Sequence, residues 1–261
     1  MSDSRTTAPA APDAESVPAV PRPAVSLVIP AKNEAQNIGW VLERVPDWVH
    51  EVILVDGLSA DGTLEIAKRI YPDVIVVRET RPGKGAALRA GFAEARGEYV
   101  AMLDADGSMD PAELGRYVQE LDNGSDVVKG SRFLSGGGTA DLTPFRRLGN
   151  AALLRLANLM LRRNFTELCY GYMAFRRSSL EQLGLTADGF EIETQIVARA
   201  ARRGLPISEV PSMEYPRRFG ASNLNAVRDG VRVLRTILRD ARRSENREIR
   251  REPRSLDEYL R

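Results

Sequence analysis

The sequence contains almost none of the residues that most often build zinc sites and nucleophilic triads. Its 261 residues include a single cysteine, Cys169, and a single histidine, His50. One cysteine excludes an internal disulfide and a cysteine-rich zinc site, and one histidine argues against histidine-based metal chemistry and a Ser-His-Asp triad. Acid–base and electrostatic chemistry would therefore fall to aspartate, glutamate, lysine and arginine.

Long apolar runs, a secretory signal and a large net charge are also missing. No run approaches the roughly 20 apolar residues that a membrane-spanning helix needs, and no apolar stretch follows a basic start at the N-terminus. The formal net charge is +1, which does not indicate nucleic acid as a partner. We therefore expect a cytoplasmic protein, either in solution or peripheral at the inner face of the cell membrane.

Composition divides the chain into three parts. Residues 1–23 are rich in Ala, Pro, Ser and Asp and have few large apolar side chains, which predicts a disordered leader. Residues 24–243 alternate short apolar runs with helical patterns, which is typical of an α/β domain. Residues 244–261 are highly charged and are predicted to be a frayed C-terminal tail.

Two β-branched apolar runs near the start are each followed by polar residues and then by a helical pattern. The runs are Ala24–Pro30 and Glu51–Val55. Open α/β sheets bind ligands at the carboxyl ends of their strands, so the polar residues after these runs are candidate ligand contacts: Lys32, Asn33, Glu34 and Asp56. Helix capping by Asn33 and an ordinary turn after Asp56 are the alternative explanations.

The stretch from Tyr99 to Asp110 is the most informative part of the chain. Its apolar start, Tyr99–Leu103, predicts a buried strand that runs into Asp104, Asp106 and Asp110. Two carboxylates separated by one residue repel each other, and a hard divalent cation such as Mg²⁺ or Mn²⁺ relieves that repulsion. The alternative is an acidic turn in which Asp104 or Asp110 caps the following helix.

Two cationic loops are candidate anion sites. Lys84 lies between two glycines at the start of a helical pattern, where free N–H groups and the helix dipole favour an anion. The spacing is not that of a Walker A motif. Arg132 follows a predicted strand at Asp126–Lys129 and precedes a glycine run, and an arginine there can hold a phosphate bidentately.

Three later segments complete the secondary-structure prediction. Arg146–Arg163 is apolar over most of its circumference with arginines at both ends, which fits either a core helix or a helix resting on a lipid surface. Phe165–Phe175 is strand-like with a glycine kink. Leu224–Arg243 predicts an amphipathic helix with an apolar face and an arginine stripe.

Seven segments in one order resemble the inverting family 2 glycosyltransferases with a GT-A fold. The resemblance covers about Val25 to Arg239, and within the family it is greatest to the dolichol- or polyprenyl-phosphate mannosyl- and glucosyltransferase branch. The segments are VSLVIPAKNE (Val25–Glu34), VILVDGLSADGT (Val52–Thr63), GKGAALRAGF (Gly83–Phe92), YVAMLDADG (Tyr99–Gly107), KGSRFLSGG (Lys129–Gly137), CYGYMAFRRSSL (Cys169–Leu180) and RRFGASNL (Arg217–Leu224).

The resemblance implies both a fold and an activity. The fold would be an α/β, Rossmann-like GT-A domain: a mostly parallel central sheet flanked by helices, with C-terminal amphipathic helices. The activity would be metal-dependent, inverting transfer of a hexose from a nucleotide-diphosphate sugar, of the GDP-mannose or UDP-glucose type, to a polyprenyl phosphate. The alternative is the same donor chemistry on a soluble hydroxyl acceptor. A hydroxyl needs a base, for which Glu193 is the candidate, while an ordinary helix-start acid is the other interpretation of that residue.

The resemblance also implies roles for individual residues. Contacts to the nucleotide-sugar are implied at Pro30, Lys32, Asn33, Glu34, Asp56, Lys84 and Asp104. The metal, Mg²⁺ or Mn²⁺, would be held by Asp104 and Asp106. Catalytic roles are implied for Asp106, Arg132 and Glu193, and contacts to phosphate or acceptor for Arg132, Arg218 and Ser222.

Two positions depart from the family's pattern. Ser108 stands where the family often has a glutamine, which removes a third protein ligand for the metal. Asn223 stands where a lysine is frequent, which removes one phosphate contact. The branch often carries C-terminal membrane spans, and this sequence has no apolar run for one.

Overall fold

A computed structural model describes residues 23–140, 142–221 and 224–242 of the chain. Nearly all of the predicted leader and the whole of the predicted charged tail lie outside these ranges, as does Ser222. The three-part division of the chain therefore stays a prediction.

A seven-stranded sheet forms the centre of the described part of the chain, with the strand order β3-β2-β1-β4-β7-β5-β8. Only β7 runs antiparallel to its neighbours, β4 and β5, so the predicted mostly parallel sheet is confirmed. Its strands are β1 (Val25–Ala31), β2 (Glu51–Asp56), β3 (Ile75–Arg78), β4 (Tyr99–Met102), β5 (Val127–Ser131), β7 (Met173–Arg176) and β8 (Ile207–Pro211). A short second sheet pairs β6 (Gly138–Thr139) with β9 (Met213–Glu214).

Helices cover both faces of the large sheet because its strands are apolar on both sides. In β1, Leu27 and Ile29 face one core while Val28 faces the other, as the two-residue period of a strand requires. The first core includes side chains of α1 (Ile38–Leu42), α2 (Thr63–Ile70) and α4 (Leu114–Asp122). The second includes those of α3 (Lys84–Glu94), α5 (Pro144–Leu161), α6 (Arg177–Gln182), α7 (Ile192–Arg202) and α8 (Ala226–Arg242).

The parallel register brings the polar loops to one edge of the sheet. Ala31 at the end of β1 lies opposite Asp56 at the end of β2, and Met102 at the end of β4 lies opposite Val28. The loops that follow these three strands therefore meet at the carboxyl edge, as expected for ligand binding in such sheets.

The strand predicted over Phe165–Phe175 is wrong for most of its length, since β7 begins only at Met173. The residues before it form a loop, because side chains take over their backbone hydrogen bonds. Asn158 contacts both the N–H and the carbonyl of Phe165, and the carboxylate of Glu209 accepts from the N–H groups of Thr166 and Glu167.

The helix predicted over Arg146–Arg163 packs one face on the core and exposes apolar residues on another, and its contact with a lipid surface stays a prediction. On α5, Ala157 is buried against the core, whereas Leu148 and Leu159 are 72% and 77% exposed. On α8, Val233 and Ile237 are buried, and Val227 is exposed. None of the helices in the described ranges is long and apolar enough to span a bilayer.

Candidate active site

Lys84 is fixed at the centre of the carboxyl edge by the start of α3. The N–H groups of Gly85 and Ala86 donate to the carbonyl of Asp188 at 2.8 and 3.1 Å. Gly83 has a φ of 115°, and a Cβ there would lie 2.1 Å from the same carbonyl oxygen, so only glycine permits this approach. This backbone contact positions the start of α3 so that Lys84 Nζ lies 2.6 Å from Asp104 Oδ1 and 2.7 Å from Glu193 Oε1.

Burial and charge shift the pKa values of Asp104 and Lys84. Burial raises the pKa of Asp104 to about 6, against the attraction of Lys84, and repulsion from Asp106 and Glu193 adds to the rise. Burial acts to lower the pKa of Lys84, but the two carboxylates outweigh it and hold that pKa above its usual value. Lys84 is therefore a permanent cation between two acids.

The third side of the triad is closed by Gly171, which precedes β7. A Cβ at this position would lie 2.6 Å from Lys84 Nζ and 3.0 Å from Asp104 Oδ2. The loop that replaces the predicted strand thus brings bare backbone against the charged groups, and a side chain there would displace them.

Asp106 faces a second cation, Arg217. Asp106 Oδ1 accepts from the N–H of Ser108 at 3.0 Å, which fixes the acidic turn, while Oδ2 lies 3.4 Å from Arg217 Nη1. Arg217 Nη2 also donates to both carboxylate oxygens of the buried Glu34, at 2.6 and 2.5 Å. Glu34 in turn accepts from the side-chain amide of Asn37.

The remaining residues predicted to bind the nucleotide line the ends of β1 and β2. Asp56 is buried, and its carboxylate accepts from the N–H of Ser59 at 3.1 Å. Asn33 does not cap a helix: its side-chain oxygen accepts from the N–H of Ala60, and so ties the two loops together. Pro30 is half-buried in β1, and Lys32 is exposed beside Asn33.

The charges at this edge fit a divalent cation. Among the residues that the structure describes here, the four carboxylates of Glu34, Asp104, Asp106 and Glu193 form ion pairs with two cations, Lys84 and Arg217. Over the ranges that the structure describes, no three acidic, histidine or cysteine side chains converge on a metal position. Mg²⁺ is often held by one or two carboxylates with substrate phosphates and water as its other ligands, and the acidic pair suits that arrangement.

Asp110 lies apart from this cluster. Its carboxylate accepts from the N–H of Ala112, capping the 3₁₀ turn Pro111–Glu113, and pairs with Arg44. The capping interpretation therefore holds for Asp110 but not for Asp104, which contacts Lys84.

The structure does not bring the Arg132 guanidinium into the cluster of carboxylates around Lys84 and Arg217. It is buried, with Nε 2.7 Å from Glu167 and Nη1 2.9 Å from Glu214, and Nη2 donates to the carbonyl of Cys169. Burial opposes the charge, yet Glu167 and Glu214 raise the pKa of Arg132 above its usual value. Buried Lys129 extends the network, lying 3.5 Å from Glu209; burial lowers its pKa despite the acids around it.

Arg218 points away from Arg217, toward an open cleft. Its guanidinium lies 4.8 Å from the centre of the Trp40 ring, and the guanidinium of Arg44 lies 4.9 Å from the centre of the same ring. The cleft has a volume of about 510 Å³ and borders the acidic turn at Gly107. It is therefore an open space next to the turn that carries the acidic pair.

Sequence reasoning missed Arg217, Glu167 and Glu214 as members of these clusters. Arg217 and Arg218 are adjacent in RRFG, and the sequence does not indicate which of the two contacts Glu34 and Asp106. Glu167 and Glu214 are 35 and 82 residues from Arg132, so only the fold pairs them.

Comparisons with known proteins give a consistent result. The family model described as Glycosyl transferase family 2 matches residues 26–184. Glycosyltransferase AglJ of Haloferax volcanii is 34% identical over 84% of this chain and 72% of its own length. The polyprenol monophosphomannose synthase of Mycolicibacterium smegmatis is 35% identical, over 80% and 84%. The undecaprenyl-phosphate mannosyltransferase of Micrococcus luteus is 33% identical, over 77% and 87%.

Solved structures with a similar fold include glucosyl-3-phosphoglycerate synthase from Mycobacterium tuberculosis. Its complex with phosphoglyceric acid matches with a TM-score of 0.68 at 23% identity, over 84% of this chain and 80% of that one. Its complex with Mn²⁺, UDP and phosphoglyceric acid matches with a TM-score of 0.67 at 22% identity, over 86% and 80%. At these identities the likeness shows a shared fold.

Proposed function

We propose, from the premise that this chain belongs to glycosyl transferase family 2, that it transfers a hexose with inversion from a nucleotide-diphosphate sugar to a polyprenyl phosphate. The observation that carries the proposal is the excess of carboxylates around Asp104 and Asp106 at the carboxyl edge. The donor would be of the GDP-mannose or UDP-glucose type. A polyprenyl-phosphate acceptor is supported by the names of two relatives, a polyprenol monophosphomannose synthase and an undecaprenyl-phosphate mannosyltransferase.

The donor would lie along the ends of β1, β2 and β4. Glu34 and Asp56 would accept hydrogen bonds from the nucleoside, with Pro30, Lys32 and Asn33 beside it. Asp104 and Asp106 would hold Mg²⁺ or Mn²⁺, which supplies positive charge to the departing diphosphate. The glucosyl-3-phosphoglycerate synthase complex containing Mn²⁺ and UDP supports a metal in a site of this fold. Lys84 would add a fixed positive charge that needs no rearrangement during the reaction.

The reaction is a displacement at the anomeric carbon. An acceptor oxygen forms a bond to that carbon on one face, and the bond to the diphosphate breaks on the opposite face. A phosphate acceptor is already an anion at pH 7 and needs no base. Arg218, exposed beside the acidic turn, and Ser222 would contact the acceptor phosphate. Arg132 could do so only after releasing Glu214, to which it is paired.

The acceptor's prenyl chain would stay in the membrane. Leu148 and Leu159 on α5 and Val227 on α8 are exposed apolar side chains, and both helices carry arginines. Apolar residues among arginines suit a surface that lies on anionic lipid. We therefore propose that the protein acts at the inner face of the cell membrane as a peripheral protein.

A soluble hydroxyl acceptor is the second candidate. One observation that favours it is the fold shared with a synthase crystallised with phosphoglyceric acid. The other is the position of Glu193, whose Oε1 lies 2.7 Å from Lys84 Nζ, the atom that also contacts Asp104. In that case Glu193 would take the proton from the hydroxyl as it attacks.

The test combines an acceptor panel with liposome flotation. The protein would be incubated with GDP-mannose or UDP-glucose, Mn²⁺ or Mg²⁺, and either a polyprenyl phosphate or water-soluble alcohols including phosphoglycerate. We expect a glycolipid product, and flotation with anionic liposomes at low salt that weakens at high salt as charge is screened. Efficient glycosylation of a soluble alcohol without liposome binding would overturn the lipid acceptor and favour Glu193 as a base.

A further inference from the structure

One arginine spans the donor side of the site and the acidic pair. Arg217 Nη2 contacts both oxygens of Glu34, Nη1 lies 3.4 Å from Asp106 Oδ2, and Nε donates to the carbonyl of Phe219 at 2.6 Å. Every nitrogen of its guanidinium therefore has an acceptor. The two acids that it joins are assigned above to two different ligands, the nucleoside and the metal.

The backbone around Arg217 follows the acidic turn closely. The N–H of Tyr215 donates to the carbonyl of Ser108 at 2.8 Å, and the N–H of Arg218 donates to the carbonyl of Asp106 at 3.3 Å. A Cβ at Gly107 would lie 2.6 Å from Cδ of Arg218. Residues 215–219 therefore form a strap over the turn that carries Asp106. Within this strap, Arg217 makes the ion pair with Asp106.

We propose that Arg217 is an internal counter-ion, which the divalent cation replaces on Asp106. This inference rests on the metal placement in the proposed function. The Oδ2 atom that faces Arg217 cannot at the same time hold a cation without bringing two positive groups together. Metal binding therefore requires Arg217 to withdraw, and its withdrawal exposes the Glu34 carboxylate for the nucleoside.

The coupling between metal and strap is reciprocal. A cation that displaces Arg217 loosens the strap, and a strap held closed lowers the affinity of Asp106 for the cation by the same factor. Before metal and donor arrive, the single charge of Arg217 offsets part of the negative charge of the two acids. The order of events that follows is metal first, then the nucleoside at Glu34.

The direct test measures Mn²⁺ binding by electron paramagnetic resonance of the free ion, with no nucleotide present. Arg217→Gln should lower the dissociation constant for Mn²⁺ about fivefold relative to the unaltered protein, the upper end of what an ion pair of this exposure contributes. Arg218→Gln is the matched control: it removes the same charge from the next position, where the guanidinium lies on Trp40 rather than on an acid. We expect less than a twofold change in Mn²⁺ affinity for this control.

A second measurement uses the unaltered protein. Phenylglyoxal modification, read by mass spectrometry, should be slow at Arg217 without metal and several-fold faster with saturating Mn²⁺, while modification at Arg218 stays constant. Equal Mn²⁺ affinity in Arg217→Gln and the unaltered protein would overturn the inference, as would an Arg217 whose reactivity does not change when Mn²⁺ binds.

Asp106→Asn distinguishes a failure of the metal placement from a failure of the role given to Arg217. If it abolishes Mn²⁺ binding while Arg217→Gln has no effect, the metal placement stands and only the role of Arg217 fails. If it binds Mn²⁺ normally, the metal placement fails as well.

Discussion

Two of the charged clusters in the described part of the chain differ in how far they are shielded from water. The sealed cluster around Arg132 buries its ions, and each described hydrogen bond of its guanidinium ends on protein. The open cluster around Lys84 and Arg217 has four carboxylates for two cations and lies at the carboxyl edge of the sheet. Both clusters are built from carboxylates, lysine and arginine.

This difference distinguishes a cluster that stabilises the fold from one that is suited to bind a ligand. Removing one partner from a buried network leaves the other partner's charge unsatisfied away from water, so such a network contributes to folding stability. A cluster with surplus negative charge is unfavourable by itself and becomes balanced only when a cation binds. Variants in the first cluster should therefore change stability, and variants in the second should change ligand binding and rate.

The largest expected effect is on the sealed cluster. Arg132→Met should lower the free energy of unfolding by about 3–5 kcal/mol, because it leaves Glu167 buried without its counter-ion. Urea denaturation followed by circular dichroism measures the change. Arg228→Met is the control: that arginine is 61% exposed in its pair with Asp229, so we expect less than about 1 kcal/mol. An Arg132 variant as stable as the unaltered protein but deficient in acceptor binding would instead support the phosphate role predicted from the sequence.

The next effect concerns the acidic pair. Asp106→Ala should reduce sugar transfer at least about 10³-fold, roughly 4 kcal/mol of barrier, since the metal loses a ligand. Its unfolding free energy without metal should hold or rise, because repulsion with Asp104 is relieved. Transfer assays with and without excess chelator measure the loss of activity, and urea denaturation measures the free energy of unfolding. Activity that survives the chelator would contradict metal dependence.

A smaller effect is expected on the nucleoside side of the open cluster. Asp56→Ala should weaken donor binding about tenfold to a hundredfold, since a hydrogen bond to a charged group contributes roughly 1.5–3 kcal/mol. Calorimetry with the nucleoside diphosphate measures this. Unchanged affinity would count against the placement of the nucleoside at the end of β2.

The smallest effect lies outside both clusters. Leu159→Ser should reduce partitioning onto anionic liposomes about fivefold, or roughly 1 kcal/mol for one exposed leucine removed from the lipid contact. Because Leu159 is exposed on α5, its unfolding free energy should change by less than about 0.5 kcal/mol. Flotation and denaturation on the same preparation separate the two. Equal flotation of variant and unaltered protein would remove α5 from the membrane surface.

The family, the enzyme class and the mostly parallel sheet were predicted from the sequence and are confirmed. This was possible because the central strands are apolar runs, and Asp56 and Asp104 stand at the carboxyl ends of two of these runs. The Arg132 network could not be predicted, since its partners come from distant parts of the chain. The loop before β7 was mistaken for a strand because Phe165 and its neighbours have strand-forming side chains, while the groups that satisfy their backbone, Asn158 and Glu209, lie elsewhere.

The position of β7, between β4 and β5 in the sheet but after both in the chain, has a consequence for the order in which the site is completed. As the chain leaves the ribosome, Asp104 and Asp106 emerge well before Glu193 and Arg217; the contact between Arg217 and Asp106 joins residues 111 positions apart, and that with Glu34 spans 183. Long-range closure of this kind is slow because its entropy must be lost before the contacts form. A nascent chain ending near residue 160 would carry the acidic turn without β7, α7 or the strap. We therefore expect its half-formed sheet to need a bound cation or a holding chaperone until the last third of the chain arrives.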